Sequence, residues 1–168
     1  MGGWRPSQSQ PAGTKGGAAA TSVTGNRDSQ RSRVYAWENE VVAPFDPTFL
    51  PFAAAQGMVD AIWSDFELRY PPMVERLPTQ ATATVASANR LSIFLSEQTP
   101  AWCLLHEIAH AMTSTADGYS DGHGTTFVGM YAQLIIKYLR RKPDELSLSL
   151  KKFGIKHSID AQPVFLDL

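Results

Sequence analysis

One stretch constrains this chain more than any other, residues 102 to 127, WCLLHEIAHAMTSTADGYSDGHGTTF. Within it His106, Glu107 and His110 spell H-E-x-x-H, among the apolar residues Leu104, Leu105, Ile108, Ala109, Ala111 and Met112. No Pro or Gly interrupts Ala101 to Ala116, so the stretch reads as a helix. Residues four apart lie one turn apart on the same helix face. Two imidazoles placed that way chelate a single zinc ion, and Glu107 stands on the same rim beside them.

A catalytic zinc site needs a third protein ligand and one open position. The spacing H-E-x-x-H-x-x-G-x-x-H is not met, because Thr113 and Ala116 occupy the Gly and His positions. A Glu from the next helix is not available either, since Thr125 to Arg141 holds no acid. Asp117, Asp121 and His123 remain. His123 is the preferred ligand: it ends the Gly-rich loop Asp117-Gly118-Tyr119-Ser120-Asp121-Gly122, just before a new apolar-periodic segment. Asp121 and Asp117 stay open as alternatives. Asp117 is also a possible acceptor for a ligand imidazole, although a solvated loop acid is the plainer reading.

HEIAHAM followed by a loop and by His123-Gly124-Thr125-Thr126-Phe127 resembles the SprT-like and Spartan-like zinc metallopeptidases, which carry H-E-x-x-H and a later H-G-x-x-F. The chain is also similar to small actinobacterial and phage-encoded metallohydrolases with an arginine-rich opening helix like Arg27 to Tyr35. The resemblance spans roughly Arg27 to Arg141. It implies an α+β, zincin-like domain: two N-terminal helices, a small antiparallel hairpin, and the H-E-x-x-H helix packed on a following helix. It implies one zinc ion per chain on His106, His110 and His123. It also implies that the strand Arg90 to Ser96, read as directly preceding the zinc helix, pairs with an extended protein or peptide substrate. Peptide hydrolysis by zinc-activated water, with Glu107 as general base, is the expected chemistry. Hydrolysis of a non-peptide bond and a non-catalytic metal-bound module are the alternatives. Spartan-like relatives act on proteins attached to DNA. Here a C-x-x-C pair for an accessory zinc ribbon is missing and the net charge is −1, so a nucleic-acid partner rests only on Arg27, Arg31 and Arg33.

At 168 residues the chain is long enough for one core. Residues 1 to 26 are rich in Gly, Ser, Gln, Thr, Ala and Pro and read as a disordered tail, with Trp4 as a lone docking candidate. Residues 27 to 168 read as the folded domain. No apolar run reaches signal-peptide or membrane-span length, so a cytoplasmic protein is expected. The single Cys103 fits a small core residue in a reducing setting.

The remaining elements follow from periodicity and breakers. Arg27 to Val42 reads as a helix capped by Asn26 or Asp28, with Val34, Trp37 and Val41 on one face and Glu38 among the solvated residues. Phe52 to Tyr70 reads as a second helix with Met58, Ile62, Trp63 and Phe66 inward. Thr79 to Ser87 and Arg90 to Ser96 alternate as a hairpin. Thr99 and Pro100 should cap and open the zinc helix. Phe127 to Tyr138 gives an apolar stripe, closed by Arg140, Arg141 and Lys142. Pro143 to Phe153 reads as a last helix, with Leu146, Leu148 and Leu150, ended by Gly154. His157, Tyr119 and Tyr131 are minor candidates for stabilising an oxyanion.

Overall fold

The computed structural model describes residues 28–78 and 86–165. The expected tail, with Trp4, and most of the first expected strand lie outside the described residues. The chain is mixed α+β. Its elements are α1 (Arg31–Trp37), a π-helical turn (Glu38–Val42), a 3-10 turn (Ala43–Phe45), β1 (Phe49–Pro51), α2 (Phe52–Asp65), β2 (Met73–Arg76), β3 (Ala86–Ala88), β4 (Ser92–Leu95), β5 (Gln98–Pro100), α3 (Ala101–Met112), α4 (Thr125–Tyr138) and α5 (Pro143–Lys152).

All twelve residues of α3 are buried, so the helix that carries the motif runs through the middle of the core. Its composition permits this: apart from His106, Glu107 and His110, every side chain is apolar. Helix α4 packs along it, with Phe127, Val128, Met130, Tyr131, Leu134 and Ile135 buried. Trp37 and Val34 of α1 and Ile62 and Trp63 of α2 close the core from other sides. Met58 and Phe66 pack at its margin and are only partly buried. Cys103 is fully buried, as a core residue should be.

Several boundaries differ from the sequence reading for identifiable reasons. Helix α1 starts later than Arg27, after Gln30, with no side-chain cap. Asp28 is therefore free to act elsewhere. Beyond Trp37 the backbone widens into the π turn, where the Ala43 N–H reaches back five residues to the Glu38 carbonyl. Val42, not Val41, is then the residue fully buried. Helix α2 stops at Asp65; Glu67 and Tyr70 take positive φ values of 56° and 55°, which no helix tolerates. Pro100 occupies the cap position of α3 in extended geometry, while Thr99 lies in β5 and bonds Ser96. Helix α4 ends at Tyr138, because Arg140 turns into positive φ (53°). The Arg141 guanidinium instead donates to the Val41 carbonyl at 3.0 Å, tying α4's end to the π turn. In α5 Leu146 and Leu150 are buried but Leu148 is exposed. Gly154 ends it with φ 66°.

The sheets are small. Strand β4 pairs antiparallel with β3, as the hairpin reading implies, but also parallel with β2, giving the order β2-β4-β3. Strand β2, from the Met73-Val74-Glu75-Arg76 segment, was not anticipated. With a neighbour on each side, β4 cannot receive a substrate strand, which overturns that expected role. Nor does β4 directly precede α3; β5 does, paired antiparallel with β1.

The C-terminal segment after α5 crosses back over α4. Ser158 N–H bonds the Thr125 carbonyl, Gln133 bonds the Ala161 carbonyl, and Val164 N–H reaches the Met112 carbonyl at the end of α3. Gly129 makes the crossing possible: a Cβ there would stand 2.1 Å from the Ser158 carbonyl oxygen. Among the described residues no helix is long and apolar enough to cross a membrane.

Candidate metal centre

His106 and His110 project from α3 at the expected one-turn spacing. His123 reaches them from the residue before the Gly124 cap of α4. The intervening loop is a tight structure: Ser114 and Ser120 bridge, Thr115 N–H bonds the Tyr119 carbonyl, and Gly118 and Gly122 take φ values of 92° and 63°. It turns the chain so that the start of α4 faces α3. The three histidines form a buried group whose ligand atoms all lie within 4.8 Å of one another, close enough to bind one metal ion.

The spacing suits the donors. The Nε2 atoms of His106 and His110 stand 3.0 Å apart, and those of His106 and His123 stand 3.4 Å apart. Ligands at about 2.0–2.1 Å around a tetrahedral zinc stand about 3.3 Å from one another. The remaining ring nitrogens settle which atoms face inward. His106 Nδ1–H donates to Glu38 Oε1 at 2.5 Å, and His123 Nδ1–H donates to Asp28 Oδ2 at 2.6 Å. With Glu38 and Asp28 as carboxylates accepting those protons and the rings neutral, each imidazole keeps its lone pair on Nε2. Two lone pairs at 3.4 Å with no proton between them repel, and a cation between them removes that repulsion. The donor set therefore fits a metal ion.

Burial controls the charges here. It pushes the pKa values of His106 and His110 well below the ordinary imidazole value, so both stay neutral and able to coordinate. Burial pushes Glu107 well up, and the neighbouring Glu38 charge adds to the rise. Burial also pushes Glu38 up to about 8, opposed by the nearby Tyr131 hydroxyl and by positive charge at His123. A metal cation on the three Nε2 atoms acts in the same direction as that positive charge. For Asp28, burial raises the pKa, but the hydrogen bond and charge of His123 and the charge of Arg31 outweigh it and hold the carboxyl low.

Glu107 is 1% exposed, and its Oε1 has no hydrogen-bond partner among the described residues. A buried carboxyl oxygen without a partner is costly, and such groups concentrate at functional sites. The aromatic surroundings are continuous. Phe127 stacks on His110 with ring centroids 4.2 Å apart, and Tyr35 meets the His123 ring edge-on at 5.1 Å.

The competing acids stand outside the three-histidine group, although Asp121 Oδ1 is buried with no hydrogen-bond partner among the described residues. Asp121 Oδ2 accepts the Thr126 N–H at 2.9 Å, at the start of α4. Asp117 is exposed and accepts the Thr115 hydroxyl, so the solvated-acid reading holds. Tyr119 is 67% exposed, and Tyr131 is buried with its hydroxyl on the Trp102 carbonyl. His157 lies half-buried in the C-terminal segment, outside the three-histidine group. Arg33 donates to the carbonyls of Gly154 and Ser29, and Arg31 lies over the Tyr35 ring. Both serve contacts within the chain, and Arg27 lies outside the described residues.

Sequence reasoning missed Glu38, Asp28 and Tyr35. For Glu38 a signal existed: it falls four residues after Val34 and three before Val41, in the middle of the apolar stripe. An acid in that position is buried or else breaks the face.

Comparison with protein-family models, curated proteins and solved structures found no match to this chain. The fold and site thus define an α+β protein with a buried three-histidine centre.

Proposed function

We propose that this protein is a zinc-dependent hydrolase that cleaves peptide bonds, with His106, His110 and His123 holding one zinc ion and Glu107 serving as general base. The observation that carries the reading is Glu107. Its unpartnered carboxyl oxygen is buried one residue from His106, on the helix that presents two of the three converging imidazoles. Three imidazole donors converging on one point suit zinc, and a catalytic arrangement would leave its fourth position to a water molecule. When bound, zinc supplies Lewis acidity toward a water molecule and a carbonyl oxygen. Glu107 takes a proton from the attacking water and passes it to the leaving amine. Its buried setting suits the first half of that task, because a raised pKa makes the carboxylate a stronger base toward the water.

The choice of a peptide bond, and of a zincin-like layout, rests on the likeness of HEIAHAM and of His123-Gly124-Thr125-Thr126-Phe127 to the SprT-like and Spartan-like metallopeptidases. The substrate is then a protein or peptide. A second reading, a metal-stapled module without catalysis, draws on the burial of the site: His106, His110 and His123 are 0%, 2% and 2% exposed.

The two readings part on Glu107→Gln. Under the hydrolase reading, zinc-loaded wild type cleaves denatured casein, while Glu107→Gln binds zinc equally and loses about 10²–10⁴-fold in turnover. Wild-type turnover in the variant removes Glu107 from the role of base. No cleavage by zinc-loaded wild type favours the module.

A further inference from the structure

We propose that Glu38, delivered by the π-helical turn, is the positioning residue that aims His106 at the metal. This rests on the metal-centre reading above but not on the identity of the bond cleaved.

The geometry is specific. Glu38 and His106 are 68 positions apart in sequence, yet their side chains meet at 2.5 Å with both fully buried. Glu38 Oε2 has no hydrogen-bond partner among the described residues. The carboxyl is therefore poorly accommodated if its purpose is packing. A Leu or Met of similar size would fill the space without an orphaned oxygen. What a hydrocarbon cannot do is accept the Nδ1–H of His106. That bond fixes the ring's tautomer and rotation, turns the Nε2 lone pair toward His110 and His123, and makes the imidazole a stronger donor.

The backbone points to the same role. A π turn is an unfavourable insertion that recurs at functional positions. Here it begins at Glu38 itself and is closed by Ala43 N–H on the Glu38 carbonyl. Glu38 enters on the buried face set by Val34 and Trp37, and the extra residue brings Val42 rather than Val41 back into the core. The chain keeps its apolar contacts on both sides of the acid.

Asp28 holds His123 in the same way but is less enclosed, its side chain 29% exposed against 0% for Glu38. His106 is thus the ligand fixed from within the core.

The test is Glu38→Gln in the full chain, with Glu40→Gln as the control acid on the exposed side of the same turn. Three readouts are compared: zinc affinity by competition with a chromophoric chelator, thermal stability of the metal-free protein, and the His106 imidazole nitrogen shifts by NMR. Loss of the carboxylate should weaken zinc binding about 10–100-fold. The metal-free protein should melt at the same temperature or higher, since a poorly satisfied buried acid has gone. The His106 shifts should move, Glu38→Asp should recover part of the affinity, and Glu40→Gln should match wild type throughout. A merely structural role predicts the opposite pattern, reduced metal-free stability with unchanged affinity, and that result overturns the proposal. Affinity within twofold of wild type in a folded Glu38→Gln also overturns it, even if hydrolysis is intact. Zinc binding that depends on Glu38 without any hydrolysis leaves the proposal standing and removes the hydrolase. A wild type that binds no zinc overturns both.

Discussion

At the scale of single residues, the local half of the site was readable and the distant half was not. His106, Glu107 and His110 lie within one turn and a half of helix, so spacing alone groups them. His123 could be reached by asking which loop residue lies next to the following helix. The carboxylates behind the imidazoles come from 68 and 95 positions away, and no local pattern pairs residues across such distances. Asp28 has a further local condition. Gly122 takes φ 63°, and a Cβ on it would lie 2.9 Å from Asp28 Oδ2. Gly122→Ala therefore combines a left-handed backbone with a contact that pushes Asp28 off His123. We expect a stability loss of about 1–2 kcal/mol by denaturant unfolding of the metal-free protein. Zinc affinity should also fall, because His123 loses its orienting acceptor. Unchanged affinity in this variant would mean that Asp28 does not orient the ligand.

At the scale of elements, helices with strong stripes appeared where periodicity put them, while short strands and helix ends did not. Strand β2 is four residues long with one half-buried position, so it offers no alternation to detect. It exists because β4 has a free edge to fill. The parallel pairing could not be foreseen from a hairpin signal, and it converts an expected edge strand into a central one. The ends of α2 and α4 are set by residues in positive φ, a choice of backbone that the identities Glu67, Tyr70 and Arg140 do not advertise. The crossing of the C-terminal segment over α4 was equally silent in sequence, although Gly129 inside an apolar helical run is a signal of close approach. There a Cβ would meet both the Ser158 carbonyl at 2.1 Å and the Ala161 Cβ at 2.6 Å. Gly129→Ala should improve helix propensity by up to about 1 kcal/mol and still destabilise, since overpacking costs about 1–3 kcal/mol. Thermal unfolding reads the net sign. A more stable variant would show that the segment yields freely and does not clamp α4.

At the scale of the whole molecule, the three-histidine group is where separate parts of the chain meet. Helix α3 supplies two imidazoles, the start of α4 a third, and the α1 region both supporting carboxylates. Gln30 adds a further link, donating to the His123 carbonyl at 3.1 Å and to the Lys156 carbonyl at 3.0 Å. The first turn of the described chain, the third ligand and the C-terminal segment are thus tied at one point. A cation bound by the three Nε2 atoms would draw these parts together and relieve the repulsion of facing lone pairs. We propose that His106, His110 and His123 together hold one zinc ion. The most direct test is the metal content of purified wild type and His123→Ala by elemental analysis after zinc loading and dialysis. Wild type should hold about one zinc per chain and the variant sharply less, as loss of one of three protein ligands requires. Full zinc retention in His123→Ala, or no zinc in wild type, would contradict that proposal.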